Sequence, residues 1–212
     1  MADPPTAAAD DGVRTAEPVR LGRAARREAL LDAAAELVAS VPLDEVSIEA
    51  VAERAGVSRP LVYKHFANRA ELLGAVYRRE ATDLHDRLTA EVSAAGSLEE
   101  MFRTLAHGAL RAASERGHLF AALRSAGAWS AEVGREQRAR DRRTSRAFAE
   151  RAMAELGIPA AQAAAGTALL LSLVDQLLVQ WRFDPTDEHA ALLEATYATI
   201  VAASLAALAT PA

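Results

Sequence analysis

A chain of 212 residues, 51% hydrophobic and 25% charged, is long enough to bury one large core or two small ones. The absence of cysteine excludes disulfides, thiolate metal sites and cysteine nucleophiles together, as suits a reducing compartment such as the cytoplasm. A formal charge of −5 is wrong for a protein that coats nucleic acid over its whole surface, so any nucleic-acid contact has to be local.

The chain opens on MADPPTAAADDG, with no basic patch leading into an apolar run, and residues 1–20 are expected to be a disordered leader rather than a secretory signal. From residue 20 on, Arg20, Arg23, Arg26 and Arg27 precede the first acid of that segment, Glu28, and make a short basic arm. Strands of alternating Val, Ile and Thr are missing while Ala, Leu, Arg and Glu dominate, so the fold class is all-α with about nine helices. The first, about 22–40, places Leu30, Ala34, Leu37 and Val41 on one face and stops near Pro42. A short second helix starts at the cap Ser47 and ends at Gly56, and a third runs from the cap Ser58 to about Phe66. The fourth opens on Asn68 with Glu71 three residues on, as in a capping box, and continues to about Val92.

Beyond Gly96-Ser97, helices are expected at about 98–116, 118–126 and 130–156, the last closed by Gly157-Ile158-Pro159. Two more, about 160–182 and 186–209, are separated by Phe183-Asp184-Pro185, where Asp184 is the expected cap and Pro185 the first-turn residue. The most apolar stretch, Ala163 to Val174, is too short and too soon followed by Asp175 and Gln176 for a membrane span, so no membrane partner is expected.

From Val46 to Phe66 the sequence reads VSIEAVAERAGVSRPLVYKHF. Ile48, Val51, Ala52 and Ala55 share one helix face, Gly56 suits a turn of positive φ, and Val57 plugs the gap between two steeply crossing helices. The second of these helices then exposes Arg59, Tyr63 and Lys64, cations and a hydroxylated aromatic suited to phosphates and base edges in a major groove. Taken singly each has an ordinary alternative: Tyr63 packed on the first helix, Lys64 a solvated charge, His65 a core histidine, Arg26 and Arg27 a solvated face. With VSIEAVAERAGVSRPLVYKHFANRAELL, residues 22–78 resemble the DNA-binding domain of the tetracycline-repressor (TetR) family of bacterial regulators.

That resemblance implies a helix-turn-helix domain at 21–78 and a ligand-binding and dimerisation domain at 79–210. It implies a DNA-binding set of Arg26, Arg27, Ser47, Ser58, Arg59, Pro60, Tyr63, Lys64, His65 and Arg69 on a double-stranded operator, with His65 and Arg69 holding the DNA backbone. Leu61 stands where the family commonly has a small or polar residue. In the C-terminal half the expected ligand residues are Phe102, Phe120, Trp129, Phe148, Asp175, Gln176 and Trp181, around a small-molecule inducer. Core packing is the alternative for most of these aromatics.

The last two helices are expected to pair with their copies in a homodimer through Leu193, Tyr197, Ile200, Val201 and Leu205, the alternative being that both fill the protomer core. The arginines from Arg135 to Arg146 are interleaved with acids and read as a solvated face. No cofactor, metal site or catalytic residue is expected. His85, His107, His118 and His189 have no metal-ligand spacing, and there is neither a Gly-rich phosphate loop nor a nucleophile elbow. The rival readings are a constitutive DNA-binding dimer without a ligand and a helical enzyme.

Overall fold

The computed structural model describes residues 22–125 and 131–210, so the expected leader lies outside the described residues. Those residues form eight α-helices: α1 (Arg23–Ser40), α2 (Ile48–Arg54), α3 (Arg59–Tyr63), α4 (Arg69–Ser93), α5 (Leu98–Ser125), α6 (Ala131–Leu156), α7 (Ala160–Trp181) and α8 (Asp187–Ala209). A one-turn 3-10 helix, Leu43–Glu45, sits between α1 and α2. The all-α fold is as expected, with one helix fewer because 98–116 and 118–126 are a single element. Gly117 disfavours a helix interior by about 1 kcal/mol, but α5 packs along α4, α7 and α8 and reaches α1, and that burial carries the helix through.

Several helix ends follow the local chemistry. The Ser47 Oγ accepts from Ala50 N at 3.1 Å, and Asn68 Oδ1 accepts from Glu71 N at 2.9 Å while Glu71 Oε2 accepts from Ala67 N at 2.7 Å. Gly56 and Gly157 close α2 and α6 at φ of 64° and 65°. Two caps differ from expectation. Ser58 stands at the N-cap of α3 without a side-chain hydrogen bond, and α8 is capped by Thr186, whose Oγ1 accepts from His189 N at 3.2 Å, rather than by Asp184.

Two cores result. The first joins Leu30, Val51, Val62, Phe66, Leu73 and Val76 around α1–α4, and it also takes in Leu119, Leu123 and Val133 from α5 and α6. The second centres on Phe102, Phe148, Ala163, Tyr197 and Val201. Helix α4 runs unbroken past residues 78 and 79, giving Leu72 to one core and Val92 to the other. At Gly108 a Cβ would stand 2.3 Å from Leu88 Cδ2, so a larger residue there would require the Leu88 side chain to move.

Helices α7 and α8 are each long and apolar enough to cross a membrane by length and composition, with mean hydropathy of 1.4 and 1.6. This replaces the expectation that no stretch there is long enough, which judged only the uninterrupted apolar run. Tyr197 on α8 donates its hydroxyl to the Leu170 carbonyl at 3.1 Å, tying the pair together, and burial pushes its phenol well above the usual range.

Candidate nucleic-acid interface and ligand cleft

Helix α3 is held from beneath and open above. Val62 and the following Phe66 are sealed in the first core, and Val57 N donates to Ala52 O at 2.9 Å across the turn, fixing the approach of α2 and α3. The opposite face carries Arg59, Pro60 and Lys64, all exposed, and Tyr63, 49% exposed although its ring is large and apolar. Arg59 is ion-paired with Glu49 of α2.

The start of α1 lies beside the end of α3. The Arg27 guanidinium stacks 5.0 Å above the Phe66 ring. Desolvation, then Arg23, Arg26 and Arg27, hold the His65 imidazole below its ordinary value. His65 is therefore neutral at pH 7 in a neighbourhood of three arginines. The basic arm and the α3 face thus form one cationic surface.

Beyond the Arg59 ion pair and the Arg27 stacking, Ser47 and Arg69 of the expected set spend side-chain hydrogen bonds inside the chain. The Ser47 hydroxyl is the α2 cap, and Arg69 donates Nε–H to the Val46 carbonyl at 2.6 Å and an Nη2–H to that of Leu43 at 2.5 Å. The expectation that Arg69 holds the DNA backbone is corrected to this extent: its fork is committed to the loop before α2, where it bonds the Val46 carbonyl and that of Leu43, which also accepts from Val46 N.

A cleft of about 710 Å³ opens between α4, α5, α6 and α7. Its apolar wall comes from Leu84, Leu88, Leu105 and Phe120, the last edge-to-face with Tyr77 at 5.8 Å between centroids. Small residues of α5, Ala109, Ala112, Ala113 and Gly117, make the room. The polar wall comes from His85, Gln137, Asp141, Thr144, Ser145 and Asp175, with Arg182 at one end. Asp175 is pushed above the usual carboxylate range by partial burial and then by Asp141, and His85 is held low by burial and then by Arg140.

Of the expected ligand residues, Phe120 and Asp175 line this cleft. Phe102 and Phe148 are a correction: both are fully buried, 4.6 Å apart between ring centroids, and build the second core. Gln176 and Trp181 are not among the lining residues, although the Trp181 ring stands 4.0 Å from where a Cβ of the lining Gly117 would be, and Trp129 lies outside the described residues. Sequence reasoning missed His85, Asp141, Thr144 and Ser145. Their signal was a polar strip, Gln137, Asp141, Thr144 and Ser145, at helical spacing on the inner side of α6.

The expected dimer residues also divide. Tyr197, Val201 and Leu205 are buried inside the protomer, and Leu193 packs partly on the same core. They are corrected to core positions because α8 uses that stripe against α5 and α7. Ile200 is exposed, and with Leu192 (62% exposed) and Leu169 of α7 (70%) it marks a different apolar face.

Two crossed short helices, a solvent-facing second helix bearing cations and an aromatic, and a separate helical cleft define a helix-turn-helix protein with a pocketed second core. Residues 30–76 match the family model described as bacterial regulatory proteins, tetR family. The HTH-type transcriptional activator FasR of Mycolicibacterium smegmatis is 40% identical over 65 residues, 31% of this chain and 30% of that protein, so the likeness spans under a third of the relative's length. A tetR-family transcriptional regulator from Streptomyces coelicolor superposes with a TM-score of 0.66 at 26% identity, covering 89% of this chain and 84% of that one. The transcriptional regulator FadR from Bacillus subtilis, solved in complex with stearoyl-CoA, shares the fold with a TM-score of 0.62 at 12% identity, over 82% and 96% of the two chains. Residues 30–76 thus match the DNA-binding part of tetR-family regulators, and the fold as a whole is similar to that of such a regulator.

Proposed function

We propose that this protein is a homodimeric regulator that reads a double-stranded operator with Arg59, Pro60, Tyr63 and Lys64, steadied by Ser58, His65 and the arm residues Arg26 and Arg27, and is released by a small apolar or amphipathic ligand. The observation that carries the reading is the α3 face: Tyr63 stands half exposed beside Lys64 although the core below it is filled by Val62 and Phe66. A solvent-facing tyrosine of this kind has no folding role here and suits contact in a major groove. Residues 21–78 are the DNA-reading unit and 79–210 the ligand and dimer unit in this reading.

Release follows from α4. It starts at Asn68, directly after α3, and its stretch from Tyr77 to Leu88 walls the cleft. Both α3 helices of a dimer must lie about 34–36 Å apart to enter successive major grooves, so a ligand that shifts α4 spoils both contacts together. A coupling of about 1–3 kcal/mol suffices. Stearoyl-CoA in the B. subtilis FadR complex supports an amphipathic ligand class for this fold. Whether binding represses or activates is set by operator position relative to the promoter; release by ligand favours repression.

The regulator reading is preferred to an enzyme because the cleft brings together no nucleophile and base in hydrogen-bond reach among its described residues. It places the protein in the cytoplasm, with the apolar faces of α7 and α8 covered by a second copy rather than by lipid. A footprint of the full-length protein on DNA flanking its own gene should show a palindromic protected site, lost in the Tyr63→Ala/Lys64→Ala double variant with helical content unchanged. Wild-type protection by that variant would remove α3 from the reading role.

A further inference from the structure

Lys64 is the only lysine in a chain that otherwise uses arginine for its fixed positive charges, so the protein carries a single side-chain primary amine. That amine stands at the C-cap of α3, is exposed, and has no side-chain hydrogen-bond or ion-pair partner among the described residues. The field beside it is positive. At His65, next in the chain, Arg23, Arg26 and Arg27 of α1 add to desolvation in disfavouring the charged imidazole, and no carboxylate opposes them. The Arg27 guanidinium reaches the same end of α3, 5.0 Å above the Phe66 ring. Its own contact with Glu28 is long, 3.9 Å, and exposed on both sides, a solvent-screened pair of little weight.

We infer that Lys64 is an acylation site: an anionic donor of the acyl phosphate class, drawn to the α1 arginines, acylates the Lys64 amine and switches off the exposed face of α3. This rests on the reading of α3 as the DNA-contacting face and adds a covalent control to it. The ammonium first loses a proton to solvent. The Nζ lone pair then attacks the donor's carbonyl carbon, an N–C bond forms, and the bond from that carbon to the phosphate oxygen breaks. Inorganic phosphate leaves with the electron pair and takes the second amine proton; nothing is oxidised or reduced. The product is a neutral amide with one donor in place of three, and so loses its attraction for DNA phosphates. Exposed cations that suit a surface to DNA phosphates also gather a phosphate-bearing acyl donor, and fields of this kind raise local anion concentration by about 10- to 1,000-fold. Arginine stays protonated and is not acylated. The use of arginine everywhere else therefore confines side-chain amine acylation to the α3 face.

The test treats the full-length protein with acetyl phosphate, an anion, and in parallel with N-acetylimidazole, a neutral donor of the same group, and follows Lys64 by peptide mass mapping. The reference is the free peptide of residues 59–66, which contains Lys64 but nothing of α1. The ratio of anionic to neutral acetylation rates at Lys64 should exceed that of the peptide by at least about tenfold and fall with added salt. It should drop in Arg23→Gln and not in Arg146→Gln, whose arginine is paired with Glu150 on α6. Protein acetylated at Lys64 by acetyl phosphate should bind DNA flanking its own gene at least about tenfold more weakly, the scale of one hydrogen bond to a charged group, and bound DNA should slow the labelling. The same treatment should leave the DNA affinity of Lys64→Arg where it was before treatment. A rate ratio equal to that of the peptide overturns the acylation site and leaves α3 as the DNA-contacting face. Labelling at the enhanced ratio with neither loss of DNA affinity nor slowing by DNA overturns the switch and removes α3 from the reading role. Affinity lost on treatment of Lys64→Arg places the effect at another group and overturns the switch alone.

Discussion

The guanidinium of Arg69 sits where α4 begins and reaches back to the 3-10 turn and the start of α2, donating to the carbonyls of Leu43 and Val46. Its removal takes the side-chain donor from the Val46 carbonyl and one of two donors from that of Leu43, which still accepts from Val46 N, and each bond to a charged group is worth about 1.5–3 kcal/mol. Arg69→Ala should therefore lower the unfolding free energy by roughly 2–3 kcal/mol in a denaturant melt, whereas Tyr63→Ala, on the exposed face of α3, should stay within about 0.5 kcal/mol of wild type. Equal melts for the two variants would show that Arg69 is not the clamp of the α2 loop. Asp175 offers a second measurement at this scale. Its carboxyl is pushed above the ordinary value of 3.8, so the folded state holds the proton more tightly than the unfolded one. Stability is then lost as pH rises from that ordinary value through the raised one, and the penalty is complete above it. Asp175→Asn removes the penalty. It should melt at a higher temperature than wild type at pH 7, and the advantage should vanish below about pH 4; a gain that persists at acid pH would mean that ionisation is not its origin.

At the scale of elements, α1, α4 and α5 are joined by a chain of charges. Glu80 on α4 is only 5% exposed and is ion-paired both to Arg79, at 3.1 Å, and to Arg116 of α5. Arg79 continues to Asp32 of α1 at 2.7 Å and Glu28 at 3.5 Å. A buried carboxylate is costly once its partners are removed. Arg116→Ala, which leaves Arg79 in place, should thus destabilise by about 1–3 kcal/mol, and Glu80→Gln in the same background should recover part of that loss. The absence of recovery in this double-mutant cycle would place the effect elsewhere in α5. None of this network was legible in the sequence, because Glu80 and Arg116 are 36 residues apart and read singly as solvated charges. By contrast α2, its turn and α3 were legible, since each signal there is local: the Ser47 cap, the positive φ of Gly56, and the spacing that puts Ile48, Val51, Val62 and Phe66 inside. The cleft was half legible. Apolar residues such as Phe102 and Phe120 sit on the same long helix, and only the packing of four helices decides which one joins the second core and which one faces the cavity.

For the whole molecule the deciding fact is how little of α7 and α8 one chain covers. Leu169 and Leu192 stand 70% and 62% exposed, and Ile200 and Val179 about two-fifths. Along α8 the outward face of Leu192, Thr196, Thr199, Ile200 and Ala203 carries no charge. Its two hydroxyls bond back to the carbonyls of Leu192 and Ala195 at 2.8 and 2.9 Å, so no donor is left seeking water. A contiguous apolar face of this kind marks an interaction surface, and in the proposed homodimer two-fold pairing of α7 and α8 would cover it with its own copy while setting the separation of the two α3 helices. In that dimer Leu192 and Ile200 would decide assembly, whereas Tyr197, Val201 and Leu205, buried in the protomer, decide folding. Leu192→Glu combined with Ile200→Glu should give a folded protein of one-chain mass, about the 22.5 kDa of the sequence, by light scattering at micromolar concentration, with helical content retained and operator affinity sharply reduced because the half-sites are no longer bridged. Val201→Glu should instead lose helical content, since its carboxylate would be buried in the second core without a partner. A double variant that still scatters as two chains would move the dimer contact away from this face, and with it the geometry on which operator reading by paired α3 helices depends.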